Sequence, residues 1–170
     1  MSISQALLPE FDHEVATTRK VIERLPEDKY GYKPHERSMA AGRLASHIAE
    51  MGMWGSMTMA TEVFDFAPGG VNAFPPSDFK THAELMAAYD KAMADTRVSL
   101  AAASDADFMK MWTLQNNGHV LMTMPKIAVI RSFVMNHVIH HRGQLSVYLR
   151  LLDVPVPSIY GPSADENVFG

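Results

Sequence analysis

Residues able to do chemistry are concentrated in one short stretch, NHVIHHRGQL from Asn136 to Leu145. It places three histidines, an arginine and a glutamine inside a segment that otherwise repeats like an apolar helix. At about 100° per residue, Ile130, Val134, His137, His141, Leu145, Tyr148 and Leu152 share one narrow sector, so His137 and His141 interrupt the apolar stripe itself. His140 falls at the edge of that sector, and Ile139, Gly143, Ser146 and Arg150 fall on the opposite face. Two buried imidazoles at i and i+4, about 6 Å apart between Cβ atoms, need partners or a shared cation. One divalent ion would satisfy both. His47, flanked by Leu44, Ile48 and Met51 at a core position of an earlier helix, can supply a third nitrogen. Three histidines with an open coordination position make a catalytic rather than a structural metal site. The competing reading is hydrogen-bonded packing, the commoner fate of a core-facing histidine, and periodicity alone does not separate the two.

Other residues take secondary places. Gln144 points within about 20° of the His137 direction and is a candidate for holding a water or the polar end of a ligand, with plain hydrogen bonding inside the helices as the equal alternative. His140 is a candidate for orienting a metal ligand from outside the coordination sphere, or else an edge residue half in solvent. Arg142 points well away and is expected in an ion pair. Gly143 in mid-helix costs up to about 1 kcal/mol relative to alanine, so something is expected to pack closely there. With Ile139 and Ser146 it makes a small-residue patch compatible with a subunit contact. Met51, Met53, Met57 and Met59 crowd around Trp54, as core filling or as a pliable pocket wall. His13, His35, His82 and His119 have no helical partner at ligand spacing and read as surface residues. A di-iron bundle needs two Glu-x-x-His pairs; only Glu10 with His13 has that spacing, and HExxH is absent.

The elements that must position these residues are helical. Leu8, Phe11, Val15, Thr18, Ile22 and Leu25 form the stripe of a first helix ended by Pro26. Ser38 is expected to cap a second, with Leu44, His47, Ile48, Met51, Trp54 and Thr58 on its core face, running to about Phe66. APGGVNAFPPSDF reads as a loop. THAE, Thr81 to Glu84, has capping-box spacing, and Leu85, Tyr89, Ala92, Thr96 and Leu100 continue a third helix. Asn117-Gly118 between short alternating runs predicts a two-stranded hairpin. Pro125 marks the start of a fourth helix that reaches about Asp153 and stops before Pro155. The expected fold is all-α, a four-helix bundle with a small β-hairpin in the crossover between helices 3 and 4, forming a single domain over 1–170.

Bulk properties narrow the function. A net charge of −4, from 15 basic and 19 acidic residues without a basic cluster, argues against a nucleic-acid partner. With no cysteine, a disulfide, a thiolate metal site and a protein-borne sulfur nucleophile are excluded, so any thiol chemistry must use an external thiol. The beginning MSISQALLPEFDHE lacks the pattern of an export leader, and no apolar run approaches the roughly 18 residues of a membrane span, so a cytoplasmic location is expected.

RSMAAGRLASHIAEM (Arg37 to Met51), NHVIHHRGQLSVYLRLLDVPVP (Asn136 to Pro157) and YGPSADE (Tyr160 to Glu166) together resemble the DinB family of metal-binding four-helix bundles. The resemblance implies a divalent metal (zinc, nickel, manganese or iron) held by His47, His137 and His141, in an up-down-down-up bundle that is commonly a homodimer. It further implies a transferase that joins a low-molecular-weight thiol to a small-molecule electrophile. A metal-dependent hydrolase and a non-catalytic metal- or ligand-binding stress protein are the alternatives. Trp54, the methionines and Tyr160 are expected to line the mouth of such a site.

Overall fold

Ser2 opens the first helix with a capping box: its side chain accepts from the Gln5 N–H, and the Gln5 side chain answers the Ser2 N–H. In the computed structural model, which describes residues 1–167, this helix, α1 (Ile3–Glu23), begins ahead of the stripe that starts at Leu8. The second helix, α2 (Ala41–Ala60), starts later than Ser38. Its N-cap is Ala40, which has no side chain to offer; the first free N–H groups, of Ala41 and Gly42, donate instead to the Tyr32 and Tyr30 carbonyls of the preceding loop. Thr81 and Glu84 form the expected capping box on α3 (His82–Ala102). Ser104 and Asp107 form another on a short fourth helix, α4 (Asp105–Met109), which the sequence reading did not separate.

Helix α2 ends at Ala60 rather than near Phe66, and the chain leaves it as a strand, β1 (Val63–Asp65). The expected hairpin is present as β2 (Met111–Asn116) and β3 (His119–Pro125). Asn117 and Gly118 both have positive φ, 50° and 78°, as its two-residue turn requires. β1 pairs in parallel with β2, so the excursion is a three-stranded sheet of order β1-β2-β3. Asp65 secures it, its carboxylate accepting from the N–H groups of Asn117 and Gly118 at 2.9 and 2.7 Å. Trp112 is fully buried beneath the sheet, its indole N–H on the Thr61 hydroxyl at 3.0 Å.

The last helical segment has three parts in succession: α5 (Lys126–Val129), a π-helical turn (Ile130–Met135) and α6 (Asn136–Leu151). Helix α1 packs on α3 and α6, and α2 packs on the same two. The whole is mostly helical with a small sheet at one side. Leu44, Ile48, Leu85, Tyr89, Ile130 and Leu145 are fully buried where the helices meet. None of the described helices is long and apolar enough to cross a membrane.

Two glycines on these helices behave oppositely. A Cβ at Gly52 would lie 2.8 Å from the Ala92 side chain and 3.0 Å from its backbone carbon, so α2 and α3 approach as closely as they do only because a side chain is missing. Nothing lies within 4 Å of a Cβ at Gly143, which corrects the expectation of close packing there within the chain. Gly52→Ala should therefore destabilise the protein by about 1–3 kcal/mol. Gly143→Ala should stabilise it by up to about 1 kcal/mol. Urea unfolding of both variants beside wild type checks the pair.

Candidate metal centre

The histidine stripe of α6 faces α2 at the level of His47. Ring centroids are 5.2 Å apart for His47 and His137, and 4.6 Å for His47 with His141 and for His137 with His141. One nitrogen from each of the three rings can be chosen so that all lie within 4.8 Å of one another, and the three could hold a metal ion. His141 is buried, while His47 and His137 are half-buried.

Each ring is anchored from behind by an oxygen. Glu50, one turn along α2, lies 3.3 Å from His47 Nδ1. A carboxylate has no proton to give, so Nδ1 carries the hydrogen and the Nε2 lone pair is left free. His141 Nδ1 meets Gln144 Oε1 at 2.7 Å, which leaves its Nε2 free in the same way. The His137 ring bonds to the backbone of Phe133, in the π-helical turn just before α6. Oxygen partners of this kind fix the tautomer and orientation of metal-ligating imidazoles. Burial pulls the pKa of His137 below the usual histidine range and that of His141 down to about 4, helped by the neighbouring rings. Near neutral pH the His137 and His141 rings are uncharged, the form that donates to a metal.

Glu50 is itself buried and must be compensated. Arg43 Nη1 and Nη2 bind its two oxygens at 3.1 and 2.7 Å, and the Ser77 N–H adds a bond of 2.5 Å. Burial pushes the carboxyl up, but the hydrogen bonds from His47, Arg43 and Ser77 outweigh it and hold the pKa at about 2. Arg43 also donates to the Ser77 carbonyl at 3.2 Å. The loop after β1 is thereby tied to the group that orients His47.

That loop helps to close a cavity of about 350 Å³ beside the histidines. Met51 and Trp54 of α2 form one wall, Phe133 another, and Phe66, Phe74 and Leu114 come from the loop and the sheet.

The secondary candidates divide. Gln144 reaches the site through His141, and its amide nitrogen lies 3.2 Å from His140 Nε2; both Gln144 and His140 are exposed. Tyr160 is elsewhere: its hydroxyl bonds to Glu14 at 2.9 Å and to Arg142 Nη2 at 2.5 Å, and it does not line the cavity. Arg142 makes the expected ion pair, to Glu14 at 2.7 Å, but fully buried, with only 1% of its surface exposed. Of the four α2 methionines only Met51 lines the cavity; Met53 and Met57 line a separate groove against α3. His13, His35 and His119 are exposed, and His82 is half-buried against the Tyr30 hydroxyl at 3.2 Å. Glu50 and Arg43 were not singled out from the sequence, although Glu50 at i+3 from His47 and Arg43 at i−7 from Glu50 share a helix face. Phe66 and Phe74 carry no periodic signal, since they sit in irregular chain.

A helical domain that gathers three histidines in this way defines a class, and the sequence matches it: residues 1–167 match the DinB family, to which the chain belongs. The uncharacterized protein YrdA of Bacillus subtilis (strain 168) is 25% identical over 163 residues, covering 94% of this chain and 89% of that protein. Among solved structures, a DinB-like protein from Bacillus cereus ATCC 10987 matches with a TM-score of 0.68 at 20% identity, over 94% of this chain and 98% of that one. The DinB-like protein YjoA of Bacillus subtilis matches with a TM-score of 0.70 at 21% identity, over 91% and 97%. At these identities the two structures speak for the fold.

Glu50→Ala removes the oxygen that fixes the His47 tautomer. Metal affinity should fall by about 10–100-fold, as measured by competition against a colorimetric chelator. Unchanged affinity would remove Glu50 from the site.

Proposed function

We propose that the protein is a metal-dependent transferase that joins an external low-molecular-weight thiol to an electrophilic small molecule, with His47, His137 and His141 as the metal ligands. The observation that carries this reading is the convergence of three oxygen-anchored imidazoles beside an apolar cavity. When bound, a zinc, nickel, manganese or iron ion supplies Lewis acidity, enough to ionise a coordinating thiol at neutral pH.

The chain's own residues do the rest. Glu50, Gln144 and the Phe133 backbone hold the rings in place, and the walls built from Met51, Trp54 and Phe133 keep water from the electrophile. In the transfer the sulfur's electron pair forms the new sulfur–carbon bond, the pair of the breaking bond departs with the leaving group, and the thiol proton passes to solvent. Among the described residues lining the cavity, the one carboxylate, Glu50, is committed to Arg43, Ser77 and His47 and is held at about 2. The cavity thus offers no free carboxylate base of its own.

The up-down-down-up course of the four long helices belongs to the same reading. Ser4 bonding to Leu100 and Arg97 to Asp12 supports antiparallel α1 and α3. Gly52 lying against Ala92 and Gly55 against Thr96 supports parallel α2 and α3, and the Arg131–Glu10 and Arg142–Glu14 pairs support the last helical segment, from the π-helical turn into α6, running with α1. Homodimerisation is proposed through the back of α6, where Val147 and Leu151 are exposed.

Elemental analysis of the purified protein should find about one divalent ion per chain, with loss of most of it in each of His47→Ala, His137→Ala and His141→Ala. If none of the three lowers the stoichiometry, the ligand assignment is wrong. The loaded protein is then given an aryl halide with bacillithiol, mycothiol or glutathione. Consumption of thiol and halide together is expected; loss of halide alone would indicate hydrolysis, and loss of neither would sink the enzymatic reading.

A further inference from the structure

The chemistry of the cavity wall constrains what can occupy it. His47, Glu50, Met51 and Trp54 lie at i, i+3, i+4 and i+7 on α2, so one continuous face runs from the histidines to the indole over about 10 Å. Trp54 is held edge-on by other rings, with centroids 5.7 Å from Phe64, 5.9 Å from Phe74 and 6.4 Å from Trp112. An aromatic array braced in this way is a rigid apolar surface. Phe66, Phe74 and Phe133 complete it, within a volume at the lower end of the range for small-molecule sites.

Charge is matched inside the cavity. Its only cation outside the histidines, among the described lining residues, is Arg43, and both ends of that guanidinium are taken up by Glu50, with Ser77 taking a further bond. A carboxylate, phosphate or sulfonate placed against the aromatic wall, away from the histidines, would lose its hydration and meet no free cationic side chain among the described lining residues. An ammonium would fare no better, since the Glu50 oxygens are engaged by Arg43, Ser77 and His47.

We propose, building on the transferase reading above, that the cavity takes a compact, uncharged aromatic electrophile, its ring against Trp54, Phe66, Phe74 and Phe133 and its reacting carbon toward the three histidines. The charged groups of the thiol partner then stay outside the aromatic pocket. Flat rings match the walls in shape as well as in polarity, whereas a polyhydroxylated or multiply charged substrate would leave its polar groups unpaired.

The test is a binding measurement with unreactive probes of one size. Isothermal titration calorimetry compares naphthalene-2-methanol with naphthalene-2-sulfonate and 2-naphthylmethylammonium on the full-length protein, as purified and after chelator treatment. The neutral probe should bind at least about tenfold more tightly than either ion in the chelator-treated form, where only the lining side chains act. Phe74→Ala should weaken the neutral probe by about tenfold, and Trp54→Ala by more. Phe74 lies on the loop outside the helices, so Phe74→Ala decides the matter if Trp54→Ala does not fold. An ion bound as tightly as the alcohol in the chelator-treated form, or neutral binding that ignores Phe74→Ala, would overturn the proposal. Because the order is required without metal, its failure is distinguishable from failure of the metal assignment, which the stoichiometry of the histidine variants reads separately.

Discussion

An imidazole ring has two nitrogens, and a neutral ring can offer a lone pair from only one of them. Bringing three such rings together in a half-dry interior therefore depends on what holds the far side of each. Here the holders are a carboxylate, a side-chain amide and a backbone carbonyl, from Glu50, Gln144 and Phe133. The carboxylate is the costly member, because a buried charge left unmatched would oppose folding. Arg43 and the Ser77 N–H answer it, and through them the order of the site extends outward into a loop with no regular structure. The π-helical turn has its own part: it interrupts the regular α-helical bonding next to His137.

Much of this centre was legible from spacing. His137 and His141 fall on the stripe defined by Val134 and Leu145, and those neighbours are buried as the stripe requires. His47 was placed by the same reasoning from Leu44 and Ile48, both fully buried. Periodicity states which way a side chain points, and for these three residues that was enough. It carries no information on what comes across from irregular chain. Ser77 and Phe74 reach the site through the path of a loop, and Tyr160 is led by the tail to Glu14 instead of to the cavity.

The fold divides along the same line. Local chemistry read alone identified the Thr81 capping box and the Asn117-Gly118 turn, since each is complete within four residues. The start of α2 was misplaced because its free N–H groups are satisfied by the carbonyls of Tyr30 and Tyr32, which only tertiary structure brings near. β1 was missed because a strand of three residues is too short to show alternation, and its partner lies some fifty residues on, at Thr113 to Gln115. The mostly helical architecture followed from long amphipathic segments; the third strand required knowledge of pairing.

The buried Arg142–Glu14 pair has a consequence for how the chain is assembled in time. Glu14 is separated from Arg142 by 128 residues and from Tyr160 by 146, so it gains these partners only after that length of chain has been made. During vectorial synthesis from the amino terminus, α1 would wait with an uncompensated carboxylate on its inward face. The polar seal of Glu14 with Arg142 and Tyr160 is a long-range contact of the sort that slows folding.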